Sequence, residues 1–166
     1  MRRKIFLALS LLLVAVGVRS ASAIDLTHSF VIGVDGGFDL DPDLFAWSVV
    51  GEYQVTGNVA VGPLFTFGAD NDTFLFGGSG IAKYKANLAE NAKLKPYGYV
   101  GIGFLRTYEE NPWKEDDWEH TTDFLVPVGG GFEYWLTDKF AWGSHVMFNI
   151  SDDIFFSLFF GVRTRF

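Results

Sequence analysis

The chain has 166 residues, with 20 Asp and Glu against 13 Lys and Arg, and no Cys. It lacks the clustered positive charge that phosphate contacts need, which argues against nucleic acid as a partner. It offers no disulfide, thiolate nucleophile or Cys-ligated metal, so an exported form must be held by packing and strand pairing alone.

The first 23 residues read as a secretory signal peptide: Arg2, Arg3 and Lys4, then an apolar stretch from Ile5 to Val18, then Ala21-Ser22-Ala23 as a small-residue cleavage site. The apolar stretch is shorter than the ~20 residues of a membrane-spanning helix. Removing the segment takes Arg2, Arg3, Lys4 and Arg19 with it, so the net charge moves from −7 to −11 over residues 24–166. Hydrophobic residues make up 49% of the chain, yet after the leader no apolar run approaches helix-spanning length. The apolar residues fall instead at every second position, as in a membrane β-barrel.

Eight alternating segments follow, each long enough to cross a bilayer as a tilted strand (~9–11 residues). The first, near His28–Phe38, has Phe30, Ile32, Val34 and Phe38 on one face and Asp35 among glycines on the other. The second, near Phe45–Thr56, opposes Phe45, Trp47, Val49, Tyr53 and Val55 to Ser48, Glu52 and Gln54. The third spans Val59–Gly68, and the fourth Thr73–Asn87, where Phe74, Phe76, Ala82 and Tyr84 oppose Ser79, Lys83 and Lys85. The fifth, Leu94–Leu105, sets Val100, Ile102 and Phe104 against Tyr97 and Tyr99. The sixth, Thr122–Leu136, sets Phe124, Val126, Val128, Phe132 and Tyr134 against Gly129, Gly131, Glu133 and Trp135. The seventh, Phe140–Ile150, places His145 opposite Phe140, Trp142, Val146 and Phe148. The eighth runs to the last residue, with Ile154, Phe156, Leu158, Phe160, Val162, Thr164 and Phe166 on one face. Phe160, Val162 and the terminal Phe166 resemble the C-terminal insertion signal of outer-membrane barrels, from which Thr164 departs, standing where an apolar residue is usual.

The connections alternate in character. Thr56–Asn58, Asn87–Lys93 and Thr137–Lys139 are short, while Asp39–Asp43, Ala69–Asp72, Thr107–Thr121 and Ser151–Asp153 are acidic, the third being long. Short turns on the periplasmic side and variable loops outside are the habit of outer-membrane barrels. Two hairpins echo each other: Glu52–Gly62 and Glu133–Gly143 both read Glu-Tyr-x-apolar-Thr-x-x-apolar-Ala-apolar-Gly.

Those hairpins, together with Lys95–Phe104 (KPYGYVGIGF) and Gly129–Tyr134 (GGGFEY), resemble the outer-membrane β-barrel domain family, the small barrels similar to OmpA, OmpX and OmpW. The resemblance covers nearly all of residues 24–166. It implies an all-β fold, a single eight-stranded antiparallel up-and-down transmembrane barrel, located in the bacterial outer membrane. The partners expected there are membrane lipid, lipopolysaccharide and, through the C-terminal strand, the barrel-assembly machinery.

Parity and height predict what lies inside. Glu52, Lys83, Glu133 and Arg163 all face inward in the third nearest the short turns, and buried charges must be paired. A carboxylate–Lys–Arg cluster is expected, with Lys85, Arg165, Gln54, Tyr97, Tyr99 and His145 nearby. Its simplest role is to fill a lumen just wide enough for side chains; a gate or proton-sensitive plug is the functional alternative. Aqueous porins need about 16 strands, which this length cannot supply, so no open pore is expected.

An enzyme is not expected. A lipid A deacylase would need His-x-Ser on one strand face, but His145 is followed two positions later by Met147, and Ser144 points the other way. No cofactor is expected. The acidic loops offer hard oxygen ligands without calcium-loop spacing, so no specific metal site is expected either. Trp113 and Trp118, in the loop Thr107–Thr121, are the candidates for contact with a partner. The expected function is a structural or surface-interacting barrel with a filled lumen. The alternative is a lipid-modifying barrel enzyme or a narrow transporter of hydrophobic molecules. A soluble periplasmic barrel would carry polar groups at the outward positions, and here they are apolar.

Overall fold

The structure is a computed structural model that describes residues 29–40, 43–70, 73–88, 93–110, 118–152 and 154–166. The leader, Trp113, His28 and several acidic loop residues (Asp41, Asp72, Glu115, Asp116, Asp117, Asp153) fall outside that set.

Eight strands follow in chain order: β1 (Phe30–Leu40), β2 (Asp43–Gln54), β3 (Val59–Ala69), β4 (Thr73–Lys85), β5 (Leu94–Glu110), β6 (Trp118–Trp135), β7 (Phe140–Ile150) and β8 (Ile154–Arg165). Each pairs antiparallel with its neighbours, and β1 pairs with β8 from Val31–Arg165 to Asp39–Ser157, closing the sheet into a barrel. Closure leaves no strand edge along the wall, so the wall's backbone polar groups can be satisfied without water. The expected all-β, eight-stranded up-and-down topology is therefore what the chain adopts.

Period-two alternation sets which side is which. β1 alternates exposed Phe30, Ile32, Val34, Phe38 and Leu40 with buried Val31, Asp35 and Asp39. The same pattern recurs around the wall: the outer face is apolar, while the enclosed polar and charged residues share the lumen with apolar ones such as Val50, Leu64, Met147 and Phe159. A water-soluble barrel would carry polar groups on its outer face. Aromatic rings gather toward both ends of the outer surface. Near the loop end Trp47 stacks on Phe67 at 4.2 Å and Phe38 meets Phe45 edge-on at 5.8 Å. Near the turn end Tyr134 and Trp142 lie 6.1 Å apart. Two such belts suit the two interfaces of a bilayer.

Prolines explain two gaps in the ladder. Pairing of β2 with β3 skips between Val50–Leu64 and Tyr53–Val61, where Pro63 lies. Pairing of β5 with β6 skips between Val100–Val128 and Gly103–Leu125, beside Pro127. A proline has no N–H to give the neighbouring strand.

The strand bounds depart from the sequence reading mainly at the loop end. β5 and β6 run to Glu110 and from Trp118, so most of the expected loop Thr107–Thr121 continues the hairpin. Thr107 pairs with Thr121, and Tyr108 with His120. Beyond Leu125, toward the tip, β6 pairs with β5 but not with β7, whose ladder starts at Ile150–Val126. Both faces of this extension see solvent, so no apolar alternation marks it in the sequence. Trp118 accordingly opens a strand rather than sitting in a loop.

Candidate functional site: the barrel lumen

Strand parity sends Glu52 and Gln54 inward from β2, Lys83 and Lys85 from β4, and Glu133 and Trp135 from β6. Small inward residues on the strands between them, Ala60 on β3 and Ala141 on β7, leave room for the long side chains to meet across the axis. The Lys83 Nζ donates to Glu52 Oε1, and to Glu133 Oε1 at 3.0 Å. Lys85 Nζ lies 2.8 Å from Glu52 Oε2 and 3.1 Å from Glu133 Oε2, ion-pair distances without hydrogen-bond angles. The four charges form a neutral ring in which every side chain is at most 3% exposed. The Tyr97 ring covers it, with Lys83 Nζ 3.8 Å from the ring centroid.

Arg163 does not join that ring, contrary to the single cluster expected from height along the strands. Its Nη1 donates to Asp35 Oδ1 at 2.5 Å, and Ser48 Oγ donates to Asp35 Oδ2 at 3.0 Å. The reason lies in the register: β8 closes against β1, where Gly33 faces Arg163 and Asp35 faces Gly161. The absence of a side chain at Gly33 is what lets the arginine through. A Cβ placed there would stand 2.5 Å from Arg163 Cδ and 2.7 Å from Val50 Cγ1. Gly33→Ala should therefore displace Arg163 from Asp35 and destabilise the barrel by about 1–3 kcal/mol. A urea titration followed by the folded and unfolded gel bands checks this.

His145 sits apart from the charged ring. Its imidazole stacks on Phe159 at 5.0 Å and meets Tyr99 edge-on at 5.8 Å, and its Nδ1 has no protein partner. Ser144 faces outward, paired beside Phe132 and Phe160. Towards the loop end Asn149 Nδ2 donates to Ser157 Oγ at 3.1 Å, below a cluster of Leu105, Leu125 and Phe155. A cavity of about 10 Å³ remains between Asp35, Lys83, Tyr97, Tyr99, His145 and Arg163. That is space for about one water. A larger recess, about 470 Å³, is an open apolar groove on the outer wall between Val61, Gly80, Ala82, Val100 and Ile102.

Glu52, Lys83 and Glu133 are thus brought together, Arg163 is held one layer away, and His145 is enclosed among aromatic rings. Asp35 was legible as an inward residue, but its role was not. Its partner Arg163 is 128 residues away and becomes a neighbour only on closure. Among the described residues no group of three or more His, Asp and Glu is placed to hold a metal ion. On the outer wall, Phe160, Val162 and Phe166 are exposed, along with most apolar residues of their face. Trp118 is placed by its backbone alone, and Trp113 lies outside the described residues.

No protein-family model matches the sequence, and no curated protein matches it. Solved structures do match in shape. The N-terminal β-barrel domain of Pseudomonas aeruginosa OprF superposes with a TM-score of 0.65 at 20% identity, covering 84% of this chain and 98% of that one. Neisserial surface protein A gives 0.68 at 14% identity, with the same coverage. Ail, the attachment invasion locus protein of Yersinia pestis, gives 0.60 at 16% identity over 83% of this chain and 97% of its own. Ail has also been solved in complex with the heparin analogue sucrose octasulfate. Identities this low carry the fold, and with it the resemblance first read in the hairpins: the chain has the fold of the small eight-stranded outer-membrane β-barrels.

Proposed function

We propose that residues 24–166, exported by way of the leader, form an integral outer-membrane barrel with a packed lumen, and that its role is structural or surface-interacting rather than conductive or catalytic. The observation that carries this reading is the inversion of the wall. Apolar side chains cover the outside, while Glu52, Lys83, Lys85, Glu133, Asp35 and Arg163 neutralise one another inside around a cavity of about 10 Å³. A hydrated ion needs a continuous aqueous path, and barrels that provide one are built from about 16 strands.

In this reading the short turns and both termini face the periplasm, and the acidic loops with the long β5–β6 hairpin face outward among lipopolysaccharide and its bridging cations. Phe160, Val162 and Phe166 present the closing strand to the assembly machinery. Trp118 opens β6 at the far end of the hairpin and Trp113 lies between β5 and β6 in sequence, and a partner would be met through them. The ligand crystallised with Ail does not carry over with the fold. A polysulfated saccharide would be repelled by loops bearing Asp41, Asp43, Asp70, Asp72, Glu115 and Asp116. A partner of neutral or positive charge fits instead. Against the lipid-modifying alternative, His145 lies buried among the rings of Tyr99 and Phe159, and Ser144 faces outward, away from it.

Membrane fractionation with gel electrophoresis before and after boiling, followed by planar-bilayer recording, tests the proposal. The expected result is an outer-membrane protein whose band shifts on heating and which shows no porin-sized conductance. A soluble periplasmic protein without a heat shift would reject the membrane reading. Large steady conductance would reject the packed lumen.

A further inference from the structure

Five cations and three carboxylates face inward in the half of the barrel nearest the short turns. Lys83 and Lys85 answer Glu52 and Glu133, and Arg163 answers Asp35. Lys95 on β5 and Arg165 on β8 are left over. Among the described residues neither has a carboxylate within the 4.0 Å of an ion pair. Both are half-buried at the turn-end mouth; Lys95 stands opposite Glu133 in the β5–β6 ladder and within electrostatic reach of Arg165, Lys85 and Glu133. Like charges held at a partly dry mouth repel more strongly than in open water.

A second observation points the same way. Trp135 is only 6% exposed, and its indole Nε1–H has no acceptor. The Arg165 guanidinium lies over that indole, its Cζ 4.0 Å from the ring centroid, and its Nε also lacks an acceptor. Buried donors are normally bonded, so two orphans side by side ask for an explanation. Backbone bonds fix both residues at the mouth: Trp135 N donates to the Lys93 carbonyl and Arg165 N to the Lys139 carbonyl, each at 2.8 Å. A guanidinium stacked on an aromatic face keeps its edge donors free for a bidentate oxyanion, and an ammonium group adds a point charge.

We propose that this mouth is a phosphate-binding site, in which Arg165 and Lys95 hold the oxyanion and Trp135 orients the guanidinium and supplies a further donor. Arg165 and Lys95 supply the positive charge and N–H donors that suit a phosphate oxyanion. The phosphate can be the free ion or the headgroup of a phospholipid in the periplasmic leaflet.

The test uses the folded barrel in maltoside micelles and phosphate-free buffer. Inorganic phosphate is titrated at constant ionic strength while the Trp135 indole N–H resonance is followed by NMR, assigned through its loss in Trp135→Phe. A saturable shift is expected, with affinity reduced about tenfold in Lys95→Gln and further in Lys95→Gln/Arg165→Gln. Lys95 lies away from the closing seam, and the heat shift on gels shows that each variant remains closed. In phosphatidylglycerol nanodiscs, a resonance already displaced and no longer moved by added phosphate assigns the headgroup as the source. A resonance that still titrates there assigns the free ion. A shift reproduced by chloride, an unchanged affinity in closed Lys95→Gln, or no saturable shift in micelles together with an undisplaced, non-titrating resonance in nanodiscs overturns the site.

Discussion

Replacing Lys83 with methionine should destabilise the barrel by about 3–5 kcal/mol, the usual loss when one partner of a buried ion pair is removed. Lys83 is the group that joins both carboxylates: it donates to Glu52 and, at 3.0 Å, to Glu133. Without it two enclosed carboxylates face Lys85 alone, and the ring carries a net negative charge in a place that water hardly reaches. Adding Glu133→Gln should recover part of the loss, because Lys85 and Glu52 then form a neutral pair. The two single losses should therefore be non-additive by about 0.5–3 kcal/mol. Urea unfolding in lipid vesicles, read by the heat-sensitive gel band, measures the full cycle. A loss below about 1 kcal/mol for Lys83→Met would mean that the ring is hydrated like a surface ion pair.

The second large effect is expected on the opposite face of the wall. Ile102 is 66% exposed near the middle of β5, opposite Gly80 and midway between the aromatic belts. Ile102→Arg should cost about 2–4 kcal/mol, the loss for a cation placed at the bilayer midplane. Thr121→Arg, on the part of β6 that projects beyond the β7 ladder, should stay within about 0.5 kcal/mol. The contrast separates a wall facing lipid from a wall facing water. Were the barrel soluble, exposing an arginine at 102 in place of an isoleucine would be neutral or favourable.

The two positions also show how differently two parts of this molecule could be read beforehand. Ile102 belongs to a strict alternation whose period of two is a local property of extended chain. The number of strands, their faces, the outward Phe160, Val162 and Phe166, and the inward direction of Glu52, Lys83, Glu133 and His145 were all legible from spacing alone. The β5–β6 extension was not, because strand residues wet on both sides carry no alternation, and Thr107 to Thr121 reads as loop until the cross-strand partners are known.

The amino-acid sequence by itself determined the class of fold and the side of the wall on which each residue stands, since those follow from parity along single strands. Only the tertiary structure decided who meets whom. Lys83 and Lys85 bridge carboxylates from β2 and β6, Arg163 leaves that ring for Asp35, and Arg165 settles on Trp135. These pairings depend on the stagger between tilted strands and on where β8 closes against β1. Stagger is a property of the closed barrel as a whole, and no single strand carries a record of it.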